Sequence, residues 1–115
     1  MQIKTALYNA DHLEYGIVTI PFPIPKDQYD STIKMLEAFD IGDPRERDCT
    51  VREVLGPVPS LKCLEGTQIN VDELDYLTKR LDSFDDREMA KFQGAAVSCG
   101  CHGIVDFINL TFFCQ

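Results

Sequence analysis

Asn70-Val71-Asp72-Glu73-Leu74-Asp75-Tyr76-Leu77-Thr78-Lys79-Arg80-Leu81-Asp82-Ser83-Phe84-Asp85-Asp86 is the stretch on which the fold turns. Its apolar residues Leu74, Leu77, Leu81 and Phe84 recur every three or four positions, which lines them up on one stripe of a helix. Asn70 is a good helix-starting residue, and Glu73 stands three places on, where it can complete a capping arrangement. The spacing predicts a helix over 71–82. Ser83 to Asp86 then caps a second helix over 86–98, with Met89, Phe92 and Ala96 inward, and Gly100 ends it. A short helix over 103–110 carries Ile104, Phe107 and Ile108. The chain closes on Leu110-Thr111-Phe112-Phe113-Cys114-Gln115, an apolar run that either docks into the core or continues into a longer protein.

Upstream of this helical half the pattern changes. Residues 2–8 alternate, with Ile3, Thr5 and Leu7 against Lys4, Ala6 and Tyr8, as in a half-buried strand. Residues 16–20 are β-branched and form a second strand, paired with the first as an antiparallel hairpin. Pro21, Pro23 and Pro25 stop that strand and confine the stretch to a sheet edge or an extended connector. Tyr29, Ile33, Leu36 and Phe39 share one helical face over 26–39, with Pro25 before the start and Ile41-Gly42-Asp43-Pro44 at the end. Residues 49–55 read as a third strand, and 61–64 as a short fourth. Strands with one helix, followed by a run of helices, define an α+β fold. The expectation is one domain over 1–115: a small antiparallel sheet of three to four strands with one helix over about 1–66, then a helical hairpin and a short C-terminal helix over about 67–115.

Composition narrows the function classes. The 115 residues carry 19 Asp plus Glu against 11 Lys plus Arg, a formal net charge of −8. Nucleic-acid binders gain affinity by neutralising phosphates with basic patches, and this chain has none, so direct nucleic-acid binding is not expected. Anionic membranes should repel it, whereas a basic protein surface should attract it. No apolar run approaches the 18 or so residues of a membrane span. Met1-Gln2-Ile3-Lys4 reads as the start of a strand rather than a secretory leader. The five cysteines, an odd number, then suit reduced thiols in the cytoplasm.

Local chemistry is sparse. Cys99-Gly100-Cys101-His102 is the sharpest cluster, since thiolates and imidazole ligate zinc or iron. A structural site needs a fourth ligand and a C-x-x-C knuckle, so Gly100 as a helix cap with two incidental thiols is the preferred reading. No metal and no cofactor is assigned. His12 and His102 suggest no catalytic pairing, and no phosphate-cradling glycine motif occurs. The chain is therefore read as a protein-interaction domain and not as an enzyme. Its one distinctive feature is acid placement. Asp72, Glu73, Asp75, Asp82, Asp85, Asp86 and Glu88 crowd the helical hairpin, and Asp27, Asp30, Glu37, Asp40, Asp43, Glu46 and Asp48 decorate the earlier helix and its exit. Acids three or four apart on a helix lie roughly 5–6 Å from each other. Two such rows side by side approach the charge spacing of duplex DNA, about one per 1.7 Å of axis.

Several segments resemble an ArdA-like antirestriction family, in a clostridial mobile-element branch. They are Met1-Gln2-Ile3-Lys4-Thr5-Ala6-Leu7-Tyr8-Asn9, Thr19-Ile20-Pro21-Phe22-Pro23-Ile24-Pro25, Asp72-Glu73-Leu74-Asp75-Tyr76-Leu77 through Lys79-Arg80-Leu81-Asp82-Ser83-Phe84, Lys91-Phe92-Gln93 and Asp106-Phe107-Ile108-Asn109-Leu110-Thr111. The resemblance implies an acidic, non-catalytic DNA mimic that occupies the DNA-binding groove of a type I restriction-modification enzyme and acts as a homodimer. It also implies that this chain is an N-terminal portion of a longer protein. On that reading the partner-binding residues are Asp72, Glu73, Asp75, Asp82, Asp85, Asp86, Glu88, Asp27, Asp30 and Glu37. The alternative is a non-catalytic interaction module of a larger mobile-element protein, without mimicry, that binds through an apolar patch around Pro21–Pro25 or Phe112–Phe113.

Overall fold

Alternation in the first strand decides which face of the sheet is buried. In the computed structural model, which describes residues 1–113, β1 (Ile3–Tyr8) turns Ile3, Thr5 and Leu7 into the core and leaves Lys4 in solvent. β2 (Ile17–Phe22) runs antiparallel beside it, from Ile3 opposite Phe22 to Tyr8 opposite Ile17. β3 (Cys49–Leu55) flanks the other side of β1, and the two-residue β4 (Gln68–Ile69) pairs with β3. The order β2-β1-β3-β4 is antiparallel throughout. With the helices that follow, this is the expected α+β architecture.

Two details of the sheet differ from the sequence reading. β2 does not stop at Pro21. The strand continues to Phe22, and Val18, Ile20, Phe22 and Ile24 keep a period of two into the core while Pro21, Pro23 and Pro25 lie half-buried between them. β2 is an edge strand, where a residue without an N–H is tolerated. The fourth strand is not 61–64. Residues Pro59–Leu64 form a 3-10 turn, and pairing resumes only at β4. Val58, Leu61 and Leu64 are all buried; they stand three apart, the repeat at which side chains of a 3-10 helix eclipse. In β3 a bulge shifts the register, so that Ala6 faces Glu53 and Leu7 faces Val51, leaving Arg52 as the extra residue. The bulge is what allows both Val51 and Val54 to reach the core.

The helices occur where the sequence places them, with adjusted ends. A 3-10 turn over Lys26–Gln28 leads into α1 (Tyr29–Glu37), whose Leu36 is fully buried. Gly42 (φ 93°) passes so close to Leu36 that a Cβ there would lie 2.9 Å from the leucine Cβ. α2 (Val71–Asp82) is capped by Asn70, whose side chain accepts from the Glu73 N–H at 3.0 Å. α3 (Asp86–Cys99) opens on a complete capping box between Asp85 and Glu88 and closes at Gly100 in the left-handed conformation (φ 62°). α4 (Ile104–Phe113) runs three residues beyond its expected end. Cys114 and Gln115, the tail of the apolar run, lie outside the described residues. No helix among the described residues is long and apolar enough to cross a membrane.

α2 packs on β2, α4 on α2 and α3, and α3 on the 59–64 turn. One hydrophobic cluster therefore runs from Ile3 in the sheet through Leu77 and Leu81 to Phe92 and Phe107. The sheet part and the helical part share it, and the sheet itself crosses the expected boundary at 66 through β4.

Leu77, fully buried on the inner face of α2, sits in the middle of that shared core. Leu77→Ala should lower the unfolding free energy by about 2–5 kcal/mol in urea denaturation. Asn70→Ala, which strips the α2 cap, should cost about 1–2 kcal/mol.

Candidate functional site

The chain from Pro21 to Pro25 has an unusual shortage of donors. Three of its five residues are prolines, so only Phe22 and Ile24 carry a backbone N–H. Phe22 lies in the β-ladder opposite Ile3. Ile24 is buried and would be left with an orphan N–H. Its partner is the Asp75 carboxylate at 2.7 Å, reaching across from α2. Asp75 is itself buried, and its other oxygen takes the Lys79 ammonium at 2.7 Å, one helical turn on. The acid is satisfied entirely from within the molecule.

That link fixes the wall of a cleft of about 430 Å³, lined by Ile24, Lys26, Tyr29, Asp30, Asp72, Asp75, Tyr76 and Lys79. Across it the Tyr29 hydroxyl donates to Asp72 Oδ1 at 2.6 Å, joining the start of α1 to the start of α2. The carboxylate beside it, together with burial, pushes the Tyr29 pKa up to about 12.

The same end of α2 also holds the loop leaving α1. The Asn70 side-chain amide donates to the carbonyls of Asp43 (3.2 Å) and Glu46 (2.8 Å). Arg47 forms a two-pronged contact with Glu73, at 2.9 and 3.3 Å. Inside the loop, Asp48 accepts from the N–H groups of Gly42 and Asp43. Asp43 accepts from the Arg45 N–H, a bond that holds its carboxyl below the usual range. A second cleft of about 510 Å³ opens here, and its lining contains Glu37, Asp40, Asp43, Glu46 and Asp48 with Arg45 as the one basic residue.

The remaining expected acids stand at the other end of α2, roughly 18 Å away for a helix of 12 residues. Asp82 pairs with the N-terminal ammonium at 2.9 Å, and Asp85 and Glu88 close the α3 capping box. Asp86 is exposed and adjoins Arg87. Between the two acidic ends lie Lys79 and Arg80, the latter bonded to Thr111 at 2.8 Å with its guanidinium 4.1 Å from the Phe112 ring centre.

The ten acids read as partner-binding thus divide into three groups. Asp27, Asp30, Glu37 and Asp86 are exposed with no hydrogen bond or ion pair from their carboxylates among the described residues. Asp72, Glu73, Asp82, Asp85 and Glu88 are at the surface with one interaction each inside the fold. Asp75 is withdrawn from the array altogether, because it is buried and doubly bonded. Sequence reasoning missed Tyr76 as a surface residue and Tyr29 and Ile24 as cleft walls. The signal for Asp75 was present: with Val71, Leu74, Thr78 and Leu81 it completes an i, i+3, i+4, i+7 stripe. Glu73 gives its N–H to the cap, but its carboxylate goes to Arg47 instead of back to Asn70.

Cys101 has its thiol pushed up by burial, with Asp106, Cys99 and Cys63 adding to the shift. Among the described residues Cys49, Cys63, Cys99 and Cys101 are free, and no group of three or more His, Cys, Asp or Glu is placed to hold a metal. Burial pushes the Cys49 thiol up to about 12, with Asp48 adding to the shift. Comparison with protein-family models, with curated proteins and with solved structures finds no match.

Removing the buried acid should be costly. Asp75→Ala orphans the buried Ile24 N–H, while the half-exposed Lys79 simply returns to solvent, and should lower stability by about 1–3 kcal/mol. Asp27→Asn and Asp86→Asn, in solvent, should stay within about 0.5 kcal/mol of the parent in the same denaturation experiment. Tyr29 gives a signed pH dependence. Its pKa is raised on folding, so it contributes stability that is present below about pH 10 and lost as the pH rises through about 12. Tyr29→Phe should flatten that alkaline limb of the stability curve.

Proposed function

We propose that this protein is a non-enzymatic antirestriction-type domain whose acidic surface substitutes for the DNA backbone in the basic groove of a type I restriction-modification enzyme. The observation that carries the reading is the assembly of acids at the first turn of α2. Residues 26–48 and 70–73 hold nine carboxylates against four basic groups, a net of −5 out of the chain's −8. The Tyr29–Asp72, Asn70–loop and Arg47–Glu73 contacts keep these segments together.

Charge density sets the scale of the match. The long axis of the molecule is 40 Å, over which duplex DNA presents about 24 phosphate charges. The chain has 19 acids in total, offset by 11 bases, so it cannot imitate a duplex along its whole length. The match is confined to the acid-rich end, with Asp82, Asp85, Asp86 and Glu88 as a smaller second patch beyond the Lys79–Arg80 saddle. Such a surface would gain most of its affinity from long-range attraction to a basic groove, which salt screens over about 10 Å at 0.1 M.

A second reading has its own observation. α4 exposes Phe112 (56%) and Phe113 (83%) in its last turn, with Arg80 standing between Phe112 and half-exposed Tyr76, and a partner could dock there through apolar contact. The Pro21–Pro25 segment does not offer the same, since Phe22 and Ile24 are buried.

Purified protein mixed with a type I enzyme and its DNA substrate should inhibit cleavage at low salt, with potency falling about tenfold between roughly 50 and 300 mM salt. Replacing Asp27, Asp30 and Glu37 by their amides should remove most of the inhibition, and the triple amide of Asp82, Asp85 and Asp86 should remove less. Absence of inhibition at low salt, for this domain and for any longer protein that contains it, rejects the reading. Inhibition that survives both sets and is lost in Phe112→Ser/Phe113→Ser favours the apolar module.

A further inference from the structure

We infer that the cleft between α1 and α2 is a guanidinium pocket, which receives an arginine side chain from the basic groove of the partner protein. The inference rests on the reading above, and it names the chemical group that the surface selects. Three features of the cleft point to arginine.

The first is a pair of open carboxylates. Asp72 commits Oδ1 to the Tyr29 hydroxyl at 2.6 Å. Its Oδ2 and both oxygens of Asp30 accept nothing from the described residues. Both acids line the same cleft. A guanidinium carries five N–H donors in a fixed fork and can serve two carboxylates at once, which a single ammonium does less well.

The second is the wall material. Tyr29 and Tyr76 line the cleft and Ile24 is part of its buried wall. Aromatic faces attract cations and stack on planar ones, and a guanidinium is both planar and weakly hydrated. An ammonium keeps its water more strongly, and apolar and aromatic walls do not replace that water. Tyr76 is 45% exposed, so much of its ring is open to a guest. The molecule's own Arg80 comes to 6.0 Å from the Tyr76 ring centre, at the outer limit of such contacts, and is held there by Thr111 and Phe112 rather than by Tyr76.

The third is charge balance. Asp30, Asp72 and Asp75 face Lys26 and Lys79, three negative groups against two positive. Lys79 is held by the buried Asp75, so the open part of the cleft presents Asp30 and Asp72 against Lys26. One cationic guest makes the site neutral, and a second would be repelled. The cleft therefore takes one arginine, while the surrounding acids meet the rest of a basic surface less selectively.

The test uses isotope-labelled protein titrated with N-acetyl-arginine methyl ester and, separately, with the lysine counterpart, followed by NMR. The arginine ester should give saturable shifts at Tyr29, Asp72 and Tyr76, with affinity about threefold above that of the lysine ester. Tyr76→Leu alters an exposed side chain and leaves the core intact; it should abolish that preference. Asp30→Asn, also exposed, should weaken both esters. Equal affinity for the two esters, shifts that map elsewhere, or a preference untouched by Tyr76→Leu would overturn the pocket. The functional reading fails separately. A protein that shows the arginine preference but inhibits no type I enzyme keeps the pocket and loses the proposed role. One that inhibits without any preference keeps the role and loses the pocket.

Discussion

The two halves of this molecule share one hydrophobic core, and a buried carboxylate fixes how the β2 edge meets α2 within it. Asp75 lies in the inner stripe of α2 and gives one oxygen to the Ile24 N–H and the other to Lys79. The need for it begins in the sequence, because prolines on both sides of Ile24 leave that residue as the only backbone donor between Pro23 and Pro25. Charged hydrogen bonds in low dielectric are strong when satisfied and costly when not. The pairing therefore fixes where the end of the β2 edge meets α2. Once that meeting point is set, Tyr29 reaches Asp72, the cleft acquires its walls, and the loop from α1 falls against Asn70.

The acids of the chain consequently do two kinds of work, and position decides which. Asp85 and Glu88 complete a capping box, Glu73 anchors a loop arginine, Asp48 organises the turn at Gly42, and Asp75 holds a buried donor. Each of these is explained by folding alone. The capped and paired surface acids keep their negative charge, so they add to the field even while they stabilise the fold, whereas Asp75 is matched by Lys79 and adds little outside. Of the acids with no bond inside the fold among the described residues, Asp27, Asp30 and Glu37 lie on the segment that meets the first turn of α2, and Asp86 stands at the far end of that helix. A field of that kind is directional: it favours approach of a basic surface to one end of the molecule over the Lys79–Arg80 saddle.

Much of the fold could be read from periodicity. β1 follows the alternation of residues 2–8, β3 over Cys49–Leu55 falls on the expected third strand, and α2 over Val71–Asp82 falls where the i, i+3, i+4 stripe puts it; Asn70 caps α2, and Asp85, within the expected Ser83–Asp86 cap, starts α3. The prolines do confine β2 to the sheet edge, as their missing N–H groups require, but Pro21 does not end the strand: an edge tolerates the missing donor, and buried Phe22 and Ile24 carry the alternation through. Residues 61–64 are not the fourth strand, because Val58, Leu61 and Leu64 stand three apart, the repeat of the 3-10 turn they form. The site was less legible. Which acids sit at the surface was clear for Asp27, Asp30 and Asp86, but Asp75 looked like its neighbours until packing was considered. The Tyr29–Asp72 contact, across 43 positions of sequence, depends on the tertiary meeting of two helices and has no local signature.

The most direct measurement of the central claim is an amide hydrogen-exchange footprint of this protein in complex with a type I restriction-modification enzyme. The account predicts added protection over residues 26–48 and 70–76, where acids and cleft walls meet, removed when DNA competes for the groove. Protection confined to the last turn of α4 around Phe112 and Phe113, or a footprint that DNA does not displace, would contradict it.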